Sequence, residues 1–449
     1  MVIVQSPLAT GIRTGARPGS RDLGIDLVRA LCVIGVVLLH AMMVGVTVVD
    51  GRPVFENASD GTWWIVPLSW ALQVMPLFFV IGGFSGYLAL RRARERGMSD
   101  ASFLAGRVHR LLRPAILTIA AVGAALLLLT VVGVPADLIT VAGFRYGQPL
   151  WFLAVFLLCQ ALLPPLVNAH GRRPLRTLGV LVGSAVAVDG IRALSGIDAL
   201  GFVNLAFVWL ALQQIGFFLA DGRIDALTRR TRRWIGIGGV AGLLVAVSTG
   251  LYSPDLIANT NPPTTALLLV GVTHTCVLSL HRARLDRFSR HPFVAPISSF
   301  VNGRAMTVYL WHMPVLLGMA GVTAVASLLT DTALPALGSA DWWLARPSWL
   351  ATALAVTALV ALLLGRVESA GASALADSPR RGVTAVGLGL VGVVLLLIVG
   401  TTPVTAAVAV VLLLAAVRLT TSAGGAGMRR PTQALGAPAV APDAGLSAA

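Results

Sequence analysis

Three ionisable residues interrupt the first long apolar run of the sequence. Asp26, Arg29 and His40 lie in or beside residues 27–49, a stretch long enough to cross a bilayer, since about 20 residues at 1.5 Å each span its hydrocarbon core. Arg29 and His40 are eleven residues apart, which places them on nearly the same helix face about 16 Å apart. An ionisable side chain at membrane depth costs on the order of 3 kcal/mol unless it is paired or hydrated. The stripe formed by Asp26, Arg29 and His40 is therefore predicted to face a protein interior or a wet cavity.

His40 is the residue of this stripe best suited to moving a proton. Imidazole titrates closer to neutrality than the other side chains, and the run places His40 deep in the span, at or past mid-membrane. A general base there could act on a substrate that arrives from the outer face. Two alternatives stay open at this point. Asp26 and Arg29 also fit an ordinary interfacial ion pair, and a lone membrane histidine also fits a structural hydrogen bond.

A second group, Arg107 and Arg110 in GRVHRLLRP, precedes the third apolar run. The two arginines are three residues apart and share a helix face. Paired guanidinium groups at the start of a helix could hold a phosphate or pyrophosphate through bidentate contacts. The alternative is a basic cluster that marks the cytoplasmic side and meets lipid headgroups.

A third group lies in VYLWHMPVLL, where Tyr309 and His312 share a face and Pro314 frees a backbone carbonyl. A kink at Pro314 predicts a polar pocket, in which His312 could assist His40 or bind substrate; a packing histidine is the alternative. Trp151, in PLWFL at the start of the fourth run, is predicted to lie at the outer interface. It is expected to act there as an anchor, and it could also line a substrate entrance.

Composition indicates that membrane helices position these groups. The chain has 449 residues, of which 56% are hydrophobic and 12% charged, and this excludes a soluble globular protein. Its net charge of +15 comes from arginine alone. The arginines fall between apolar runs rather than in a patch on a soluble domain, so no nucleic-acid partner is expected. The three cysteines lie inside apolar runs and indicate no metal site.

Twelve apolar runs predict an all-α, polytopic bundle of transmembrane helices in contact with membrane lipids. Alternate connections carry most of the arginines, which predicts that both termini are cytoplasmic. The last two runs, 383–400 and 404–419, are separated by three residues and predict a hairpin. Residues 1–20 contain no apolar core, so they are expected to be a cytoplasmic segment and not a signal peptide. Residues 420–449, rich in Gly, Ala and Pro, predict a disordered cytoplasmic tail.

In their order along the chain, these motifs resemble the membrane acyltransferase family 3. The resemblance rests on Asp26 with Arg29, His40 eleven residues later, FFVIGGF, the Arg107 and Arg110 pair before LLRP, PLWFL and YLWHMP, and it covers residues 21–366. It implies a core of ten helices, to which residues 367–419 add a two-helix transmembrane hairpin. It also implies a multi-pass protein of the plasma membrane.

The resemblance further implies an O-acyltransferase. Acyl-CoA, with acetyl-CoA expected first, would donate an acetyl, succinyl or similar group from the cytoplasm. The acceptor would be a hydroxyl of an extracytoplasmic glycan, glycolipid or secreted metabolite. Arg29 and His40 would be essential, Asp26 would neutralise or orient Arg29, and Arg107 with Arg110 would serve the donor. Arg29 would either stabilise a developing oxyanion or position the donor.

One departure from the family concerns its usual Ser-Gly-Phe, which is replaced here by Gly82, Gly83 and Phe84. Any role of that serine is either absent or taken by Ser85. The glycines themselves predict close packing of helices. The rival hypothesis is a transporter or flippase of a polar lipid or sugar, because buried charges would line its path as well.

Overall fold

A computed structural model describes residues 22–369 and 375–422, so the predicted segment 1–20 and all but the first three residues of the predicted tail 420–449 lie outside the described residues. The described chain is a bundle of α-helices with one short β-hairpin, which confirms the predicted all-α fold class. Its first half comprises α1 Leu23–Met43, β1 Val44–Val49, β2 Arg52–Asn57, α2 Ile65–Leu72, α3 Met75–Glu95, α4 Asp100–Val131, α5 Ala136–Gly147, α6 Trp151–Arg172, α7 Pro174–Ser195 and α8 Asn204–Ala220.

The second half continues the bundle with helices alone. It comprises α9 Arg223–Ala226, α10 Arg229–Ser248, α11 Ala266–Ser289, α12 Val294–Gly303, α13 Ala305–Thr330, α14 Ala340–Ser369, α15 Pro379–Ile398 and α16 Pro403–Leu419. Each of the twelve predicted runs coincides with a helix. Ten helical segments of the described residues are long and apolar enough to cross a membrane; α10, which begins with four arginines in five residues, and the shorter α16 are outside those ten.

The first predicted span, 27–49, is wrong at its end. α1 stops at Met43, and the next six residues form β1, paired antiparallel with β2. The turn between the strands is Asp50-Gly51, and both residues have positive φ, +50° and +72°. Asp-Gly favours the turn that matches the twist of a hairpin, and the valines on either side favour strand. This turn signal prevails over the apolar length of the run.

Close packing of α3 against α8 depends on glycine. A Cβ on Gly83 would lie 2.1 Å from the backbone oxygen of Gln213, and one on Gly216 would lie 2.1 Å from that of Val80. Only hydrogen fits at these two positions, so the two backbones approach each other directly. The prediction of close helix packing at the FFVIGGF motif is therefore confirmed, with Gly83 at the contact.

The last two helices form the predicted hairpin and pack on the bundle through α4 and α6. Their buried side chains, including Val393 and Leu413, join Leu112 and Leu153 in one apolar cluster. Thr402 caps α16 by accepting from the backbone N–H of Thr405. The hairpin is thus part of the packed bundle.

The bundle has two chemically different ends. The arginine-rich end, where α1 and α4 begin, carries Arg94, Arg110, Arg232 and Arg282; the tryptophan-rich end carries Trp63, Trp64, Trp342 and Trp343. At the arginine-rich end, Arg282 binds Asp22 at 2.6 Å and Asp225 at 2.5 Å. Asp22 also caps α1, because its Oδ1 accepts from the N–H of Ile25 at 3.0 Å. These contacts fix the start of α1 against α11.

Candidate active site

Arg29 lies in the second turn of α1 and is surrounded by oxygen atoms from three helices. Its Nη1 is 3.0 Å from Oδ1 of Asp26 and 3.5 Å from Oδ1 of Asn302 on α12, and its Nη2 is 2.5 Å from Oγ of Ser85 on α3. The Arg29 side chain is 23% exposed and that of Asp26 is 10% exposed. The guanidinium is thus held in one orientation within the bundle, and its ion pair with Asp26 is part of that arrangement.

Asn302 was missed by the sequence reasoning. Its Nδ2 donates to the backbone oxygen of Asp26 at 2.7 Å and to that of Ser298 at 2.8 Å, so its Oδ1 faces Arg29. The available signal was an asparagine inside the apolar stretch FVNG. Ser85, the alternative to the family's usual serine, lies against Arg29, so its hydroxyl is placed at this site.

His40 and His312 are brought together from α1 and α13. Nε2 of His312 lies 3.2 Å from Nδ1 of His40, and the two ring centroids are 5.0 Å apart. Nδ1 of His40 also lies 3.0 Å from the backbone oxygen of Val36, and Nδ1 of His312 lies 2.5 Å from that of Tyr309. His312 is fully buried, whereas His40 is only partly buried.

These contacts determine which nitrogen of each neutral imidazole carries the proton. A carbonyl oxygen can only accept, so Nδ1 of His312 donates to Tyr309 and its Nε2 is left as an acceptor. Nδ1 of His40 faces two acceptors, the Val36 oxygen and Nε2 of His312, and must therefore be the donor. Nε2 of His40 keeps its lone pair, and no described group hydrogen-bonds to it. This nitrogen is the atom that can accept a proton from a substrate.

The structure places His40 nearer the end of its helix than the predicted run 27–49 implied. His40 is in the last turn of α1, because the helix ends at Met43. It is still inside the bundle, since its partner His312 is the eighth residue of α13, which continues to Thr330. β1 packs against the same helix. The histidine pair is therefore covered at the tryptophan-rich end by the hairpin and the rest of α13.

A narrow apolar cavity of about 40 Å³ lies between the levels of Arg29 and His40. On α1 it is lined by Val33 and Val36, which follow Arg29 by four and seven residues and thus continue the face that ends at His40. Arg29 and His40 themselves contact other helices of the bundle, which agrees with the predicted protein interior, and neither of them lines this cavity. The complete lining is Val33, Val36, Val37, Met75, Phe78, Phe152, Ala305, Met306 and Tyr309.

Arg29 and His40 have different surroundings despite sharing a face. Eleven residues of α-helix separate their backbones by about 16 Å. Arg29 is also drawn toward the start of α1 by Asp26, one turn further from His40. The guanidinium of Arg29 therefore lies at a different level of α1 from the imidazole of His40.

Tyr309 and Trp151 both pack against Phe152, with ring centroids 4.7 Å and 6.3 Å away. Tyr309 lines the cavity, and its hydroxyl donates to the backbone oxygen of Pro149. Trp151 does not line the cavity; it stacks on the fully buried Trp209 with a centroid distance of 5.4 Å. Its indole therefore packs within an aromatic cluster of the bundle. Phe152, which the sequence reasoning did not single out, takes the place in the cavity wall.

Arg107 and Arg110 lie in the second and third turns of α4 at the arginine-rich end. Arg107 is half-buried, with its guanidinium 5.0 Å from the ring centroid of Phe103, and Arg110 is exposed. The positive charges of Arg110 and Arg29 both act on Arg107. Neither Arg107 nor Arg110 forms an ion pair with any residue in 22–369 or 375–422. Arg107 and Arg110 thus create a positive potential that an anion would relieve.

No group of three or more His, Cys, Asp or Glu side chains that could hold a metal occurs among the described residues. Cys32, Cys159 and Cys276 are free and buried.

Comparison with known proteins bears on this arrangement. The model of acyltransferase family 3, described as an acyltransferase domain, matches residues 22–366, well over half of the chain. No curated protein and no solved structure gives a significant match. The match includes Arg29, His40, Arg107, Arg110 and His312. The chain therefore belongs to acyltransferase family 3 and is a multi-pass membrane enzyme that transfers acyl groups.

Proposed function

We propose that this enzyme transfers an acyl group from cytoplasmic acyl-CoA, with acetyl-CoA as the first candidate, to a hydroxyl of an extracytoplasmic acceptor. The observation that carries the proposal is the single face of α1 on which Arg29 and His40 are separated by Val33 and Val36, two residues that line an apolar cavity. The arginine asymmetry of the connections supports a plasma-membrane protein with both termini in the cytoplasm. The acceptor would be a glycan, glycolipid or secreted metabolite.

The donor enters from the arginine-rich end in this proposal. Arg107 and Arg110 bind its phosphates, and Arg29, positioned by Asp26, Ser85 and Asn302, guides the arm that carries the thioester. That arm runs through the apolar cavity toward His40. A volume of about 40 Å³ is too small for it, so the cavity must widen when the donor binds. Methionines are flexible enough to allow this, and two of them line the cavity.

His40 acts as the general base on the acceptor. Its Nε2 takes the proton of the acceptor hydroxyl as the hydroxyl oxygen attacks the thioester carbonyl carbon. The tetrahedral intermediate collapses, the C–S bond breaks and an ester C–O bond is formed. The imidazolium then returns its proton to the departing CoA thiolate. His312 is a positioning residue, because it accepts from Nδ1 of His40 and so holds the tautomer with a free Nε2.

The test of this role is exchange of His40 for Ala, followed by transfer of a labelled acyl group from acyl-CoA in membranes. We expect transfer to fall about 10²- to 10⁴-fold, the usual contribution of a general base. His281→Ala is the matched control, since Nδ1 of His281 also lies 3.0 Å from the backbone oxygen four residues earlier, but its side chain is exposed. Retained transfer in His40→Ala would reject the proposed base. Wild-type protein that moves a lipid or sugar without consuming thioester would support the rival transporter.

The donor site is tested separately with Arg107→Gln and Arg110→Gln. Loss of a charge-assisted contact of about 1.5–3 kcal/mol should raise the KM for acetyl-CoA about 10- to 100-fold, with a smaller change in kcat. Arg233→Gln, an exposed arginine at the same end, is the control. An unchanged KM in the first two variants would show that Arg107 and Arg110 do not bind the donor and only mark the cytoplasmic side of the membrane.

A further inference from the structure

A groove of about 650 Å³ at the tryptophan-rich end takes no part in the mechanism above. It lies between α13 and α14 and is closed on one side by Val46 of β1. Its walls are mostly apolar, and Gly318 of α13 opens directly onto it, because a Cβ added there would meet no atom within 4 Å. The groove is therefore large enough for a hydrocarbon chain.

Arg346 is the charged group in this groove. Its guanidinium carbon lies 4.2 Å from the ring centroid of Trp342 and 5.1 Å from that of Trp349, so it is held between two indoles. Nε and Nη1 of Arg346 are both buried, and neither has a hydrogen-bond partner in the described structure. A guanidinium that reached toward water would hydrate these donors instead. The side chain is thus fixed in place with its donors unsatisfied.

An unsatisfied buried donor is costly, and more so when the group is charged. Buried polar groups that lack a partner in the protein commonly meet one in an ordered water molecule, an ion or a ligand. The partner of a guanidinium is an anion such as phosphate or carboxylate, which it can bind through two parallel hydrogen bonds. Because the groove around it is apolar, the ligand that satisfies both features is an amphiphile with an anionic head.

The groove lies near the helix turns that carry the histidine pair, although neither histidine lines it. Nε1 of Trp349, one of the two indoles beside Arg346, donates to the backbone oxygen of Ala41 at 2.9 Å, and Ala41 directly follows His40. On α13, Pro314 and Val315 line the groove two and three residues after His312. A molecule held by Arg346 would therefore have the remainder of its length near the side of the pair opposite the donor cavity.

We infer that this groove binds the acceptor and that the acceptor is a phosphate-bearing amphiphile held by Arg346. This inference rests on the proposed acyl transfer for its catalytic meaning. The phosphate lies against Arg346 between Trp342 and Trp349, the hydrocarbon part follows the apolar walls, and the hydroxyl is presented to Nε2 of His40. The tryptophan pair restricts the guanidinium, so little side-chain entropy is lost on binding.

Binding is tested on the purified full-length protein in a maltoside detergent, with dodecyl phosphate as the probe and native mass spectrometry as the readout. Arg346→Gln should weaken binding about 10- to 100-fold, since a charge-assisted contact contributes about 1.5–3 kcal/mol. Arg52→Gln removes an exposed charge from the hairpin at the same end and should leave binding unchanged. Equal binding by wild type and Arg346→Gln, or an equal loss in Arg52→Gln, would overturn the site.

A second variant, Gly318→Phe, tests the groove independently in case Arg346→Gln does not fold. Gly318→Phe fills the groove without a backbone clash and should also weaken binding of dodecyl phosphate. Inorganic phosphate at the same concentration should not displace the probe, because it lacks the apolar part. Displacement by inorganic phosphate would overturn the amphiphile and leave a simple anion site.

The acceptor assignment is tested by the release of CoA from acetyl-CoA in vesicles that contain a membrane-lipid extract. Arg346→Gln should slow release without changing the KM for acetyl-CoA, and dodecyl phosphate should inhibit wild type but not this variant. If Arg346→Gln loses dodecyl phosphate binding but releases CoA at the wild-type rate, the acceptor assignment is overturned and the groove is a site for bulk lipid. Failure of the proposed function is distinguishable, since wild type would then bind the probe and release no CoA.

Discussion

The two histidines differ in their expected contribution, and His312→Phe tests the difference. His312 supplies one of the two acceptors of the Nδ1 proton of His40; the other is the backbone oxygen of Val36 at 3.0 Å. Phenylalanine removes the first acceptor and fills the same fully buried space with an apolar ring. The Val36 oxygen is untouched and continues to favour the productive tautomer.

The magnitude follows from that remaining contact. One hydrogen bond of the usual net strength, about 0.5–1.5 kcal/mol, is lost from the orientation of His40, which corresponds to about a 2- to 13-fold fall in kcat. Loss of the base itself in His40→Ala corresponds to about 10²- to 10⁴-fold. His312→Gln, whose amide oxygen can replace Nε2 as an acceptor, should recover most of the rate. The KM for acetyl-CoA should stay unchanged in all three variants.

The assay is steady-state release of CoA by protein reconstituted with membrane lipids, with thermal unfolding of each variant as a check on folding. A folded His312→Phe protein as inactive as His40→Ala would refute the reasoning, because His312 would then be taking the proton itself. Failure of His312→Gln to recover activity would refute the acceptor role of Nε2. Full activity in His312→Phe would show that Val36 alone fixes the tautomer.

Two further predictions concern the donor passage and the packing of the bundle. Val36→Trp should block the cavity between Arg29 and His40 and lower acyl transfer about 10²-fold or more by misplacing the thioester. Leu31→Trp is the control and should be active, because the Leu31 side chain is 50% exposed. Equal activities of the two variants would show that the arm takes another route. Gly83→Ala should lower the thermal unfolding midpoint, because its Cβ would lie 2.1 Å from a backbone oxygen of α8. Gly82→Ala is the control and should unfold at the wild-type temperature or above, because its Cβ would be 3.4 Å from the nearest atom. Equal midpoints of the two variants would contradict the close contact.

Much of the fold could be predicted because apolar run length and arginine placement are local properties of the chain. All twelve runs coincide with helices, and the final hairpin forms as expected. The errors fall where a short-range turn signal competes with hydropathy. Asp50 and Gly51 form a turn that converts the end of the first run into a β-hairpin, and this moves His40 from the middle of a span to the last turn of α1.

The candidate site could be predicted in part. Arg29 and His40 share a face of α1 because eleven residues make about three helical turns, and this is a property of the sequence alone. Contacts between helices that are distant in sequence could not be predicted from helical periodicity. Asn302 reaches Arg29 across more than 270 residues, and Trp151, expected at an interface, packs on Trp209. Neither pairing leaves a periodic signal.

By itself, the sequence determined that this protein is a helical membrane bundle, that an arginine and a histidine stand on one face of its first helix, and that its motifs follow the order of an acyltransferase. Only the tertiary structure decided that His312 accepts from His40, that a cavity separates His40 from Arg29, and that Arg346 stands unsatisfied between two tryptophans. The physical reason is that helical periodicity fixes neighbours within one helix. Neighbours on different helices depend on how whole surfaces pack, as at Gly83, where the absence of one Cβ lets two backbones meet.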